Sequence, residues 1–294
     1  MASYGHTPLF GAFITPVNDP PRRPVELAIT ADHAGLDVVT FQDHPYQVRF
    51  HDTWTLMSYV ASQTSRVKIA GNVLNLPLRQ PAVLARSAIT LDRLSGGRFE
   101  MALGAGGFWE PIVAMGGPRR TPGESRQALD EAIQIMQQMW ATDEPGPVRV
   151  DGVHYRVVGA KRGPAPAHKI GIWVGGYKPR MLELIGRRAD GWLPSLSYLP
   201  GGPSDLTELN QRIDDAALDA GRRPEDIRRI LNVNGRFAAQ RRGFLDGPPD
   251  AWAEDLVGLA TEYGVGGFIF PADDELTIQR IAAEVMPETL RRLG

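Results

Sequence analysis

A carboxylate and an imidazole stand side by side at Asp43-His44, directly after the apolar run 37–42 (DVVTFQ). Histidine changes its charge near neutral pH, and a neighbouring carboxylate can tune it as a proton donor or fix it as a hydrogen-bond partner for a bound ring. Because the apolar run predicts a strand, the pair would lie at a strand's carboxyl end. The plainer alternative is a loop pair that caps a turn before Pro45.

The glycine-rich tetrapeptide Gly104-Ala105-Gly106-Gly107 follows a predicted strand at residues 99–103. It does not match the dinucleotide-binding fingerprint, because the third glycine would fall at Trp109 and no helix is expected directly afterwards. Glycines carry no Cβ, so a loop of this kind lets the backbone approach a flat ligand closely. We therefore expect contact with such a ligand, with a simple turn between elements as the alternative.

The run Gly175-Gly176-Tyr177-Lys178-Pro179 connects a predicted strand, 169–174, to a predicted helix, 180–188. Proline is favoured at the first position of a helix, and the free N–H groups of a helix N-terminus attract oxyanions. This loop therefore predicts a phosphate-binding turn, to which Lys178 would add positive charge. The alternative is an ordinary tight turn between strand and helix.

Several aromatic side chains lie close in sequence to these loops. Tyr46, Trp54, Trp109 and Tyr177 could form the walls of a pocket for a ring-shaped ligand. Aromatic residues at helical spacing are more often part of the core, which is the alternative for each of them.

Eight predicted strands alternate with predicted helices, which favours an α/β fold of the TIM (β/α)8 barrel type. In such barrels the chemistry lies at the carboxyl ends of the strands, where all three loops described above would be placed. Residues 148–160 (VRVDGVHYRVVGA) alternate between apolar and polar side chains around Asp151-Gly152. They predict a small hairpin inserted into the alternation of strands and helices. A doubly wound sheet is the alternative fold. The predicted strands are residues 9–14, 37–42, 67–75, 99–103, 169–174, 189–194, 230–239 and 266–271.

Length and composition are those of an ordinary globular protein, and no linker divides the chain, so residues 1–294 are expected to form a single domain. The net charge is −2 and the arginines are scattered, so the sequence has no basic cluster of the kind that binds nucleic acid. No apolar run reaches membrane-spanning length and no signal peptide opens the sequence, so no membrane partner is expected. The absence of cysteine fits a reducing cytoplasm. No metal site is expected, because His44, His51 and Asp52 share one loop and no other histidine ends a predicted strand.

Four parts of the sequence together resemble the bacterial luciferase-like superfamily, and more closely its branch that depends on the deazaflavin coenzyme F420. The resemblance extends over nearly the whole chain. Residues 91–107 are the most specific part, because helix, glycine turn and strand match in order. The four parts are Asp43-His44, 91–107 (LDRLSGGRFEMALGAGG), 174–192 (VGGYKPRMLELIGRRADGW) and 284–293 (EVMPETLRRL).

The resemblance implies a TIM-type barrel that holds coenzyme F420 or FMN at the carboxyl ends of its strands, in a protein that is expected to be a homodimer. In the family, a bulge after strand three, often with a non-proline cis peptide bond, presses on the cofactor ring and maps here to Asn72-Val73. Phosphate contacts map to the loop that begins at Gly175, and Asp43-His44 would face the ring or the substrate. The implied cofactor contacts are Asp43, Asn72, Val73, Gly104, Ala105, Gly106, Gly107, Gly175, Gly176 and Tyr177.

This sequence departs from the sugar-phosphate dehydrogenases of that branch, which carry a glutamate proton donor directly after the Gly-x-Gly of strand four. Gly107 occupies the position here, and the nearest carboxylate is Glu110. A sugar-phosphate substrate is therefore not expected. An apolar or aromatic substrate is favoured instead by the aromatic residues at the expected pocket mouth, which are Phe13, Tyr46, Trp109 and Tyr177.

The resemblance thus predicts an oxidoreductase that transfers a hydride between coenzyme F420 and a small organic substrate. His44, Asp43 and Glu110 are the catalytic candidates, with His44 as the polar partner near the transferred hydride. Lys178, Arg119 and Arg120 would either meet an anionic cofactor tail or be solvated surface charges. The alternatives are an FMN-dependent monooxygenase that works with a separate flavin reductase, a non-catalytic flavin-binding protein, and a metal-dependent barrel hydrolase.

Overall fold

A closed barrel of eight parallel strands forms the centre of the computed structural model, which describes residues 4–294. Its strands are β1 (Leu9–Phe13), β2 (Val38–Phe41), β3 (Lys68–Gly71), β4 (Phe99–Gly104), β5 (Ile172–Val174), β6 (Gly191–Trp192), β7 (Arg228–Asn232) and β8 (Gly267–Pro271). Each strand pairs in parallel with the next, and β1 pairs with both β2 and β8. The TIM-barrel prediction is confirmed, and the doubly wound alternative is wrong because the pairing of β1 with β8 leaves no open edge.

Helices pack around the outside of the barrel, where their apolar faces cover the strands. α3 ends at Gly96, whose φ of 73° is a left-handed conformation that glycine adopts without strain. α5 begins with a capping box between Thr121 and Glu124. The helices are α1 (Arg23–Ala34), α2 (Thr53–Gln63), α3 (Pro81–Ser95), α4 (Trp109–Ala114), α5 (Pro122–Trp140), α6 (Pro179–Arg188), α7 (Asp205–Asp219), α8 (Pro249–Tyr263), α9 (Glu275–Arg280) and α10 (Met286–Leu293). Within residues 4–294, none of the helices combines the length and the apolar character needed to cross a membrane.

The inside of the barrel is a packed apolar layer rather than a pore. Alternate residues of each strand point inward, as strand geometry requires. Trp173 is the largest of these side chains, and Gly191 leaves room for it, because a Cβ at Gly191 would lie 2.6 Å from Trp173 Cδ1. The layer supports the carboxyl ends of the strands from below. Its members are Val38, Ala70, Ala102, Trp173, Leu193, Ile230 and Ile269, with Phe13 and Val73 packed against them.

Charged side chains close the opposite, amino-terminal end of the barrel around Glu100, which is 5% exposed. Its carboxylate accepts hydrogen bonds from Lys68 Nζ and from the Gly171 amide at 2.7 Å, and it lies 3.4 Å from His168 Nε2. Burial alone would raise the pKa of Glu100, but these donors hold the pKa below its usual value. Because the Gly171 amide is engaged by this side chain, β5 begins at Ile172 rather than at residue 169 as predicted.

The predicted hairpin insertion is confirmed, with antiparallel strands at Val148–Asp151 and Arg156–Ala160. Glu131 of α5 fixes its turn, because the carboxylate accepts hydrogen bonds from the Val153, His154 and Tyr155 amides at 2.8 to 2.9 Å.

The end of β7 and the helix α4 also differ from the sequence-based expectations. Strand seven was expected to continue through residue 239, but β7 ends at Asn232, and Arg236–Phe237 pairs instead with Asp246–Gly247. No helix was expected directly after the Gly104 loop, yet α4 begins at Trp109. Six residues are too few to show helical periodicity in a sequence, which explains why α4 escapes detection.

Candidate active site

A cavity of about 850 Å³ opens at the carboxyl end of the barrel. It is bordered by the loops that follow β2 to β7 and by the first turns of α5 and α6. The structure therefore brings together almost all of the predicted site residues. The predicted residues that line the cavity are Asp43, His44, Asn72, Val73, Gly104, Ala105, Gly106, Gly107, Gly175, Gly176 and Tyr177.

Glu110 is the predicted site residue that the structure does not place in this cavity. Its side chain is 80% exposed and accepts a hydrogen bond from Arg119 at 2.7 Å. Arg120 does not line the cavity either, because its guanidinium packs over the ring of Tyr155 with 5.0 Å to the centroid. Glu110, Arg119 and Arg120 thus all lie outside the cavity lining.

The aromatic predictions divide between cavity and core. Tyr46, Trp109 and Tyr177 line the cavity as expected. Trp54 instead packs edge-on against Phe99, with ring centroids 5.4 Å apart, and Phe13 packs into the barrel interior.

Asp43 is 1% exposed, and protein donors occupy both of its carboxylate oxygens. Arg79 binds it through two hydrogen bonds of 2.7 and 2.8 Å, and the Asn75 amide donates a third at 2.9 Å. Burial acts to lower the pKa of Arg79, but the ion pairs with Asp43 and Asp52 outweigh it and raise the pKa above its ordinary value. Asp43 therefore anchors the loop after β3 to the loop after β2, and its carboxylate has no free oxygen for proton exchange.

His44 presents an imidazole with free nitrogens to the cavity. Its ring stacks on Tyr46 and meets Phe108 edge-on, with both centroids 5.3 Å away. Neither ring nitrogen has a hydrogen-bond partner within residues 4–294. Burial lowers the pKa of His44 against the opposing effect of Asp43, so the imidazole is neutral at pH 7 and able to accept a proton.

A pair of amide side chains forms the floor of the cavity across the barrel. Asn72 Nδ2 donates to Asn232 Oδ1 at 2.6 Å and to Thr40 Oγ1 at 3.3 Å. Asn232 in turn donates to the Pro194 carbonyl at 3.2 Å and to Ser195 Oγ at 3.3 Å. These contacts tie together the carboxyl ends of β2, β3, β6 and β7. The peptide bond between Asn72 and Val73 is cis, as the resemblance implied.

The side chain of Val73 explains the glycine at position 104, whereas a Cβ at Gly175 would make only an ordinary contact with it. A Cβ at Gly104 would lie 2.5 Å from Val73 Cγ2, and one at Gly175 would lie 3.6 Å from Val73 Cγ1. Gly106, with a φ of 98°, is restricted instead by Pro77 and Trp109, each of which lies 2.8 Å from the point that a Cβ would occupy. Packing within the protein therefore accounts for Gly104 and Gly106, whereas Gly107 faces open space.

A methyl group at Gly104 is expected to push Val73 out of its place. Gly104→Ala should lower the free energy of unfolding by about 1–3 kcal/mol, the usual cost of an overpacked site. Chemical denaturation would measure the change, and Gly107→Ala is the matched control because a Cβ there meets nothing within 4 Å. Equal stability of the two variants would contradict this account of Gly104.

The loop after β5 is held in place from below and leaves its upper side free. Trp192 Nε1 donates to the Gly176 carbonyl at 2.8 Å, and Tyr177 Oη accepts from the Ser195 amide at 2.7 Å. No side chain caps the N-terminus of α6, where Lys178 is the residue that precedes the helix. The N–H groups of this first turn are therefore available to an oxyanion.

The cavity also contains polar atoms that the protein itself leaves without partners. Tyr46 Oη, Asn75 Oδ1 and Arg126 Nε are all buried, and none has a hydrogen bond. Together with the aromatic walls and the free turn at Lys178, they fit a flat ring with a polar edge and an anionic extension.

Comparison with known proteins identifies the family. The model of the luciferase-like monooxygenase family matches residues 5–240. The chain belongs to the luciferase-like monooxygenases. A curated relative of this luciferase-like chain is the F420-dependent glucose-6-phosphate dehydrogenase of Amycolatopsis mediterranei (strain U-32), 29% identical over 219 residues. That alignment covers 72% of the chain and 64% of the relative, so the chain spans less than two thirds of the relative's length.

Two solved structures share the fold of this luciferase-like chain. An F420-dependent secondary alcohol dehydrogenase, solved with an F420-acetone adduct, superposes with a TM-score of 0.83 at 18% identity, covering 96% of this chain and 99% of the other. The oxygenating constituent of 3,6-diketocamphane monooxygenase from Pseudomonas putida, in complex with FMN, superposes with a TM-score of 0.75 at 19% identity. That superposition covers 96% of this chain and 98% of the other.

Sequence reasoning missed several residues that the luciferase-like barrel places at the cavity. Four of them lie in loops after strands or at a strand end, so the rule that chemistry collects there could have found them. Arg126 lies within α5 and carries no such signal. The missed residues are Phe108, Arg126, Ser195, Tyr198 and Asn232, together with Arg79 behind Asp43.

Proposed function

We propose that this protein is an enzyme that uses coenzyme F420 to oxidise or reduce a small uncharged organic molecule by hydride transfer. The observation that carries the proposal is His44, a neutral imidazole without a protein partner at the wall of a cavity suited to a flat ring. The names of the curated relative and of the alcohol dehydrogenase neighbour support F420 over FMN.

The residues of the cavity fit the proposed cofactor. Val73 would support the ring, and Asn75 Oδ1 and Tyr46 Oη would offer an acceptor and a donor to its polar edge. The turn at Gly175, Gly176 and Lys178 would hold the phosphate. When bound, a deazaflavin supplies two-electron hydride chemistry, because its ring has carbon where a flavin has N5.

His44 would serve as the proton acceptor and donor for the substrate. In the oxidation of an alcohol, its neutral imidazole would take the hydroxyl proton as the carbon–hydrogen bond gives up its hydride. In the reverse direction, the imidazolium would return that proton to the carbonyl oxygen. The rings of Tyr46 and Phe108 pack against the imidazole on two sides and hold its orientation.

The surroundings of His44 favour an uncharged substrate with an apolar face. The nearby guanidinium of Arg79 is already neutralised by Asp43 and Asp52, so it offers no free charge to a substrate phosphate. Phe108 is 59% exposed beside the imidazole and gives an apolar surface at the cavity mouth. A secondary alcohol or the corresponding ketone fits this environment, whereas glucose 6-phosphate does not.

Binding and turnover measurements test the proposal. We expect the apo protein to bind F420 more tightly than FMN in a fluorescence titration, and to reduce F420 anaerobically with a secondary alcohol but not with glucose 6-phosphate. Preference for FMN together with oxygen consumption would instead support the FMN-dependent monooxygenase, a function that the FMN-bound neighbour makes the main alternative. Tight F420 binding without turnover on any alcohol or ketone would support a flavin-binding protein.

A further inference from the structure

Arg126 is an arginine of the cavity lining whose side chain forms no hydrogen bond or ion pair within residues 4–294. It lies in the second turn of α5 and lines the cavity, partly shielded from solvent. Among the arginines of residues 4–294 that are at least partly buried, it alone has no hydrogen-bond or ion-pair partner, and its Nε is a buried donor without an acceptor. A guanidinium that is shielded from water and unpaired costs free energy, which a bound anion would recover.

Two further cations line the same side of the cavity without acceptors. Lys178 precedes α6 and Arg180 lies in its first turn, and neither forms a hydrogen bond or an ion pair within the described part of the chain. The cavity lining has one carboxylate, that of Asp43, which Arg79 neutralises. This side of the cavity therefore carries uncompensated positive charge.

The charged side is separated from His44 around the barrel. His44 follows β2, whereas Arg126 lies in the helix after β4 and Lys178 in the loop after β5. In the closed sheet β3 and β4 lie between β2 and β5. The cavity thus has an aromatic, uncharged wall at His44 and a cationic wall at Arg126.

We propose that Arg126, assisted by Lys178 and Arg180, binds the anionic extension of the cofactor and makes the protein select ligands whose ring carries phosphate and carboxylate groups. This inference rests on the proposed function. A guanidinium can hold a phosphate or carboxylate through two parallel hydrogen bonds, and partial burial strengthens that contact. Lys178 and Arg180 are exposed, so their attraction for the anion is weaker and more strongly screened by salt.

A titration with two deazaflavins separates recognition of the ring from recognition of the extension. The ligands are F420 and the same ring bearing only its ribityl chain, measured by fluorescence at low and high salt. Arg126→Gln should weaken F420 binding by about tenfold or more, the scale of a lost charge-assisted contact, and change binding of the ribityl compound less than about twofold. Arg149→Gln is the matched control, because the Arg149 side chain is exposed on the hairpin, forms no hydrogen bond or ion pair with any of residues 4–294 and lies outside the cavity.

Different results would contradict this inference and the proposed function. Equal weakening of both deazaflavins by Arg126→Gln, or no effect on either, overturns the role of Arg126. Failure of the wild-type protein to bind either deazaflavin contradicts the proposed function instead. In that case inorganic pyrophosphate is used to test whether Arg126 binds an anion. Pyrophosphate should raise the melting temperature of the wild type and of Arg149→Gln but not that of Arg126→Gln. An equal shift in all three proteins overturns the inference.

Discussion

Replacement of Asp43 by asparagine is expected to lower the free energy of unfolding by about 3 kcal/mol, the usual scale for removing one partner of a buried ion pair. The substitution keeps the shape of the side chain but leaves the Arg79 guanidinium, whose side chain is 16% exposed, without its bidentate acceptor. Asp52, at 3.3 Å from the same guanidinium, compensates only in part. Urea denaturation followed by circular dichroism measures the change.

Glu110→Gln provides the control for the Asp43 variant, because it removes a carboxylate from an arginine at the same distance of 2.7 Å but in solvent. An exposed pair of this kind contributes little to stability, because solvent and salt screen it, so its loss should cost far less than the loss of Asp43. If the two variants lost the same stability, the burial of Asp43 would not be what makes its ion pair important.

Replacement of His44 by alanine is expected to lower kcat/KM by about a hundredfold or more, because a positioned proton acceptor typically contributes 10²–10⁴-fold. The dissociation constant of F420 should change little, since His44 contacts the substrate in the proposed arrangement rather than the phosphate or ring edge. Steady-state kinetics and a binding titration on the same preparation separate the two effects. Unchanged turnover with intact cofactor binding would remove His44 from the mechanism.

The pH dependence of alcohol oxidation follows from the lowered pKa of His44. The neutral imidazole is the active form in this direction, so the acid limb of kcat/KM should lie below pH 6.5, the ordinary pKa of histidine, with a plateau at higher pH. The value of kcat/KM should fall as the pH drops through the lowered pKa, because the protonated ring can no longer accept a proton. His44→Ala should lack this acid limb, and a limb that persists in that variant would belong to another group.

The barrel could be predicted from the sequence because its strands are apolar runs bounded by residues that favour turns. β8 and the hairpin illustrate this, since glycines, prolines or alternation mark their limits within a residue or two. The end of β7 could not be predicted, because the apolar residues continue beyond Asn232 and only pairing with neighbours decides where the strand stops. α4 was missed because local periodicity needs more than six residues.

The site residues were predictable where position along a strand decides their place. His44 and the loops after β3, β4 and β5 lie where the barrel rule puts them. The electrostatic partnership of Asp43 was not predictable, because Arg79 is 36 residues away and only the folded chain brings the two together. Glu110 was close in sequence to the Gly104 loop, but α4 turns its side chain toward solvent.

The amide bridge between Asn72 and Asn232 joins residues that are 160 positions apart in the chain. Every residue that lines the cavity precedes residue 233, yet β7 and β1 are joined through β8 at Gly267–Pro271. A shortened chain ending at residue 240, where the family match ends, would contain the whole lining without the strand that closes the ring. Ligand affinity in this protein therefore depends on closure of the barrel, because β8 supports a site that it does not touch.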